Sequence, residues 1–131
     1  MTDENRRRNA LDELARADVC LNEARALHNA SLPYGAASRA YYAVFHAARA
    51  LLMSIGIEAR SHKGIVSTIG EHFVRPGRIS PGMGRLVSRM QRDREDADYS
   101  TGAVFTIEEA SQMISDAESF LAEARRLVSH G

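Results

Sequence analysis

Cysteine is nearly missing: Cys20 is the single one in 131 residues. No intrachain disulfide can form, which excludes the disulfide-framed miniature folds and makes a reducing cytoplasm the natural compartment. No uninterrupted apolar run approaches the roughly 18 to 20 residues that cross a bilayer, so membrane insertion is not expected. The opening stretch MTDENRRRNALDELARAD is charged and has no apolar core, and it does not read as a secretory signal. Charge of one sign is also lacking, since 17 basic and 17 acidic side chains cancel. The familiar signatures of catalysis are absent too. There is no Walker-type glycine-rich loop, no Cys-x-x-Cys and no His-Glu-x-x-His, and no Glu-x-x-His pair of the kind a carboxylate-bridged di-iron bundle requires. Neither a metal site nor a cofactor is expected. Cys20 has no histidine at ligand spacing and reads as a small core residue rather than a nucleophile.

What is present is the profile of a folded domain, with 44% apolar and 26% charged residues. The length suits one unit spanning residues 1–131. Apolar positions recur at helical spacing almost throughout, and no segment supports a strand, so the fold class is all-α. Leu11, Leu14, Ala17, Leu21, Ala24 and Leu27 form one stripe of a long helix over about residues 3–29. Ser31 to Gly35 make a turn in which Pro33 opens the next helix. That second helix carries Ala37, Tyr41, Val44, Ala48, Leu51 and Ile55, with Tyr42, Phe45 and Leu52 widening the apolar face, and it is expected at the centre of the fold. Gly56 sits where a helix commonly ends in the left-handed conformation. A shorter helix from about Ser61 holds Ile65, Val66, Ile69, Phe73 and Val74 and is weakened by Gly64 and Gly70. After the loop at residues 75–80, Ser80 and Pro81 supply an N-cap and a first-turn proline. Met83, Leu86, Met90 and Ala97 then face inward. The chain turns again after Asp98, and Thr106 with Glu109 has the spacing of a capping box. Ile107, Ala110, Ile114, Ala117, Leu121, Ala124 and Val128 complete the most regular stripe. Four long helices and one short one imply an antiparallel up-and-down bundle.

Charge is separated along the chain. Residues 60–94 hold eight basic and two acidic side chains, whereas residues 95–131 hold eight acidic and two basic ones. Sixteen of the 17 basic residues are arginine, whose planar fork suits bidentate phosphate contacts. Arg85, Arg89 and Arg92 share a helical face, and with Arg78 they form either a phosphate-binding stripe or an ordinary solvated face. His62 and Lys63, at the start of the third helix, would also suit an anion.

Two places could support chemistry. Arg39 and His46 lie on the second helix with six residues between them. Seven residues rise roughly 10.5 Å, so their heads would not meet on one phosphate within an unbroken helix. The alternative is a core or interface histidine with an ion-paired arginine. The second place ends the fourth helix, where Arg92, Arg94, Asp98 and Tyr99 gather. Arg94 and Asp98 are one turn apart, so they either form a helix-ending salt bridge or belong to a functional end. Tyr41 and Tyr42 continue the apolar surface of Val44 and Phe45 and read as packing rather than a base-stacking platform.

The run Ser38-Arg39-Ala40-Tyr41-Tyr42-Ala43-Val44-Phe45-His46-Ala47-Ala48 resembles small stand-alone HEPN-domain proteins of bacteria and archaea. Ser61-His62-Lys63-Gly64, Phe73-Val74 and Arg94-Glu95-Asp96-Ala97-Asp98-Tyr99 extend the likeness over about residues 8–128. The resemblance implies a helical bundle that dimerises, is often encoded beside a minimal nucleotidyltransferase, and acts as the toxin of a toxin-antitoxin pair. It further implies metal-independent RNA cleavage through an Arg-x(4 to 6)-His motif near a two-fold axis. In such a site the arginine stabilises charge on the scissile phosphate and the histidine moves a proton at the ribose 2′-hydroxyl. The matching residues are Arg92 or Arg94, with Tyr99 at the place of a tyrosine that the nucleotidyltransferase modifies. This sequence departs from the motif at Asp98, where the histidine would stand. A carboxylate is a poor proton donor at pH 7 and repels phosphate, so the alternative is a non-catalytic dimeric module that binds a nucleotide, RNA or its partner.

Overall fold

Four of the five α-helices begin where a short polar side chain captures a free N–H group. Thr2 Oγ1 accepts from the Asn5 amide at 3.1 Å and opens α1 (Asp3–Asn29). Pro33 occupies the first turn of α2 (Pro33–Ser54). Ser61 Oγ accepts from Gly64 at 3.0 Å at the head of α3 (His62–Ile69). Ser80 Oγ accepts from Met83 at 3.1 Å at the head of α4 (Pro81–Tyr99), as the Ser-Pro pair predicts. The capping box also forms: Glu109 donates its amide to Thr106 Oγ1 at 3.1 Å where α5 (Ile107–His130) begins. Gly56 takes φ +81° just beyond α2, the left-handed geometry expected there. The computed structural model describes the backbone of residues 2–99 and 105–130, and their side chains except those of residues 96, 97, 99 and 130. Among the described residues there is no strand, so the all-α bundle of four long helices and one short one is the observed architecture.

Helix α2 is the axis of the molecule, packed against α1, α3, α4 and α5. Seven of its buried residues are alanine, at positions 36, 37, 40, 43, 47, 48 and 50. These small side chains cover several faces of the helix and let its neighbours approach closely. Larger groups fill the remaining space: Leu51, Leu52, Phe73, Met90, Phe120 and Leu121 are essentially sealed from solvent. On α5 every inward residue of the predicted stripe after Ile107 is buried, and Met113, Phe120 and Leu127 widen it. Helix α1 departs from expectation at Leu11, which is 46% exposed, because the buried stripe runs through Ala10, Leu14, Ala17, Leu21 and Ala24 instead. No described helix is long and apolar enough to cross a membrane.

Helix α3 does not stop at its glycine. Gly70 passes into a π-helical turn, Gly70–Val74, closed by the Arg75 amide donating to the Gly70 carbonyl at 2.9 Å. The wider turn buries Phe73 completely and brings Val74 against the start of α4. A Cβ on Gly84 would stand 2.4 Å from Val74 Cγ2, so the two segments meet only because this position has no side chain. Gly84→Ala is therefore expected to lower stability. The overpacking cost of about 1–3 kcal/mol outweighs the roughly 1 kcal/mol gained from alanine's helix propensity. Thermal unfolding should show a lower Tm for the single variant and recovery in Gly84→Ala combined with Val74→Ala.

Candidate functional site

Three helices bring polar groups together on one side of α2. Tyr41 and Tyr42 sit edge to face, with ring centroids 5.0 Å apart, and Phe45 one turn later lies 6.0 Å from Tyr41. The α4 backbone places Arg94 over this platform, its guanidinium carbon 5.0 Å from the Tyr41 centroid and 5.7 Å from that of Tyr42. Arg39 approaches Tyr42 from α2 itself at 5.0 Å. The attraction of a guanidinium for an aromatic face holds Arg94 down, and its side chain is only 18% exposed. Nη1 of Arg94 also reaches Asp98 Oδ2 at 3.2 Å, the one-turn pair expected from the sequence. Its Nε is buried without a hydrogen-bond partner among the described residues.

His62 enters from the third side. Its Nδ1 and the Tyr41 hydroxyl share a hydrogen bond of 3.1 Å, and the two rings lie 5.8 Å apart. Burial shapes the chemistry of both groups. It pushes the Tyr41 phenol up to about 12, with Tyr42 and Glu95 adding to the rise and Arg94 opposing it, so Tyr41 keeps its proton at neutral pH. Burial likewise lowers His62 below the ordinary histidine value. Arg94 adds to the fall and Glu95 opposes it, which leaves the imidazole neutral near pH 7.

Of the other sequence candidates, Arg39 touches this cluster through the Tyr42 ring. His46 and Arg39 do not converge: Arg39 ion-pairs with Glu23 at 3.8 Å, whereas His46 Nδ1 donates to Glu13 Oε2 at 2.8 Å on α1. Arg49 also reaches Glu13 at 3.6 Å, so this carboxylate is buried between a histidine and an arginine. Burial pushes Glu13 up, but the His46 hydrogen bond and the charges of Arg49, His46 and Arg16 outweigh it and hold the carboxyl below its usual range. Cys20 is buried nearby, and burial raises its thiol, as a packing role requires. Arg78 lies over the Phe73 ring at 4.5 Å. Arg85, Arg89, Arg92 and Lys63 are exposed. Arg89 bonds Asp116 of α5 at 2.5 Å, so the basic part of the sequence meets the acidic part across the bundle. The side chain of Tyr99 lies outside the described residues. No cluster of three or more His, Cys, Asp or Glu residues suited to a metal occurs among the described residues.

The sequence alone reads Tyr41 and Tyr42 as packing groups and His62, with Lys63, as a pair suited to an anion at the start of the third helix. The signal that could have singled them out is the hydroxyl: two adjacent tyrosines interrupt a stripe otherwise built from alanine, valine, leucine and phenylalanine.

Architecture and site together define a small all-α bundle whose polar centre is assembled from its second, third and fourth helices. The HEPN domain family model matches residues 10–127, and the chain belongs to that family. Relatives include "Putative toxin MJ0605" of Methanocaldococcus jannaschii, 38% identical over 86% of this chain and 81% of that protein. A "UPF0332 protein" of Thermotoga maritima is 31% identical over 86% of each chain. A second Methanocaldococcus jannaschii protein, "Putative toxin MJ0142", is 24% identical over 86% of this chain and 77% of that protein.

The Glu13 arrangement has a pH signature. Its folded pKa is depressed from 4.5, so the carboxylate contributes stability that is present above pH 4.5 and lost as pH falls through the lower folded value. Glu13→Gln is expected to cost about 3 kcal/mol at pH 7 in urea unfolding, with the gap to wild type narrowing as pH falls below 4.5. A gap independent of pH would contradict the buried ion pair.

Proposed function

We propose that this protein is the toxin-like HEPN member of a toxin-antitoxin pair and that it cleaves RNA without a metal. The observation that carries the reading is the Arg94 guanidinium held on the Tyr41 and Tyr42 faces beside His62. A fixed, desolvated guanidinium stabilises the charge that gathers on a phosphate as it is attacked, and it needs no reorganisation to do so. Family membership and the names of the Methanocaldococcus jannaschii relatives support the toxin-like part. A toxin implies an antitoxin partner. From the resemblance of the sequence, that partner is a minimal nucleotidyltransferase, Tyr99 is the residue it modifies, and the working form of the toxin is a homodimer. Arg92, exposed on α4, and Lys63 beside His62 would guide the RNA backbone toward Arg94.

One observation favours a second reading, a non-catalytic module that binds RNA, a nucleotide or the partner. Asp98 stands where the resembled motif has its histidine, and its carboxylate already engages Arg94. A phosphate would have to displace it.

Purified protein incubated in EDTA with total RNA and a defined tRNA decides between the two. Wild type is expected to cleave, and Arg94→Ala to cleave at least about 100-fold more slowly while remaining folded. Cleavage retained in folded Arg94→Ala contradicts the assigned centre, and no cleavage by folded wild type favours the binding module. Asp98→Asn removes the competing charge, so it is expected to tighten RNA binding in a salt titration; unchanged affinity would show that Asp98 does not guard Arg94.

A further inference from the structure

We propose that His62, brought in from α3, is the proton-transfer group of the Arg94 centre and supplies the function that Asp98 cannot. This assignment rests on the RNA-cleaving reading above. The geometry behind it is specific. Arg94 and His62 approach the same tyrosine from different helices, one over the Tyr41 ring face at 5.0 Å and the other at its hydroxyl at 3.1 Å. The imidazole is thus fixed at one nitrogen, and the other, Nε2, has no hydrogen bond to any described residue. A half-buried histidine held in this way has the form of a general base: one nitrogen is committed to an orienting group, and the other is left without a partner among the described residues.

His46, the histidine that the spacing from Arg39 singled out, is differently placed. Its Nδ1 is committed to the buried Glu13 carboxylate between α1 and α2. Among the described residues, the charged and titratable groups facing His62 are Tyr41 on α2 and Arg94 and Glu95 on α4, with Lys63 adjacent on its own helix. Neutral imidazole is the form a base requires, and burial favours that form at neutral pH.

In the step proposed, Nδ1–H of His62 donates to the Tyr41 hydroxyl oxygen, which leaves a lone pair on Nε2. Nε2 takes the proton of the ribose 2′-hydroxyl, and the 2′-oxygen forms a bond to phosphorus. The bond from phosphorus to the 5′-oxygen breaks, and its electron pair leaves on that oxygen, which takes a proton from water. Arg94 bears the charge on the non-bridging oxygens throughout. The products are a 2′,3′-cyclic phosphate and a 5′-hydroxyl, and the imidazolium returns its proton to the hydroxide left in solvent. Tyr41 is a positioning residue in this scheme, since it acts through His62.

The test uses the full chain, single-stranded RNA of defined sequence, EDTA, and His62→Ala and His62→Gln variants beside Arg94→Ala. The glutamine variant keeps a polar group within reach of Tyr41 but cannot take the proton, so it guards against loss of folding in the alanine variant. Both are expected to cleave at least about 100-fold more slowly while binding a 2′-deoxy version of the RNA like wild type. Added imidazole should restore cleavage to His62→Ala and not to Arg94→Ala. The wild-type rate should fall on acidification with an apparent pKa below 6.5, and Tyr41→Phe should move that limb and lower kcat with little change in KM. If both His62 variants cleave at the wild-type rate with the same acid limb while Arg94→Ala is inactive, the histidine assignment is overturned and the RNA-cleaving reading stands. If folded wild type does not cleave at any pH, that reading fails and the assignment falls with it.

Discussion

Enclosure of α2 is the constraint on which the rest depends. A helix surrounded by four others can carry few large side chains, and alanine at seven of its buried positions meets that demand. The same enclosure determines where the large groups go. Tyr41, Tyr42 and Phe45 cluster where α3 and α4 pass by, and there the packing surface turns into an aromatic platform with a hydroxyl at its edge. Arg94 and His62 are placed by what they rest on.

Glu13 and Tyr41 are tolerated inside the bundle because each has a polar partner. Glu13 sits between His46 and Arg49, and Tyr41 shares its hydroxyl with His62. The two arrangements differ in consequence. In the first, the carboxylate consumes the histidine and ties α1 to α2, which is a structural use of a buried charge. In the second, a neutral hydroxyl orients a neutral imidazole beside a guanidinium, so no charge is spent within the pair and both partners remain available for chemistry. Arg89 and Asp116 show a third use at the surface, where the basic and acidic parts of the chain join α4 to α5.

Much of the fold was legible because it is written in local spacing. Caps at Ser80 and Thr106, the left-handed Gly56 and the α5 stripe each depend on residues within a turn or two of one another. Leu11 misled because Ala10, beside it, also continues a three- and four-residue pattern, and alanine gives too weak an apolar signal to reveal which of the two faces inward. The π-turn after Ile69 left no mark beyond Gly70. In the site, only Arg94 with Asp98 was legible, as a pair one turn apart. Tyr41 and His62 are 21 residues apart, and Arg94 comes from a further helix, so their meeting is a property of helix packing that no spacing rule encodes. Glu13 and His46, 33 residues apart, were hidden for the same reason.

The central claim is that one centre joins Arg94, which holds the phosphate, to His62, which moves the proton, across Tyr41. Nitrogen-15 NMR of the wild-type protein during titration with a 2′-deoxy oligonucleotide, which can bind but cannot be cleaved, tests it most directly. The account predicts that the Arg94 Nε–H signal and the His62 ring nitrogens shift together, with the same midpoint. Shifts confined to the exposed arginines 85, 89 and 92, with Arg94 and His62 unmoved, would contradict it.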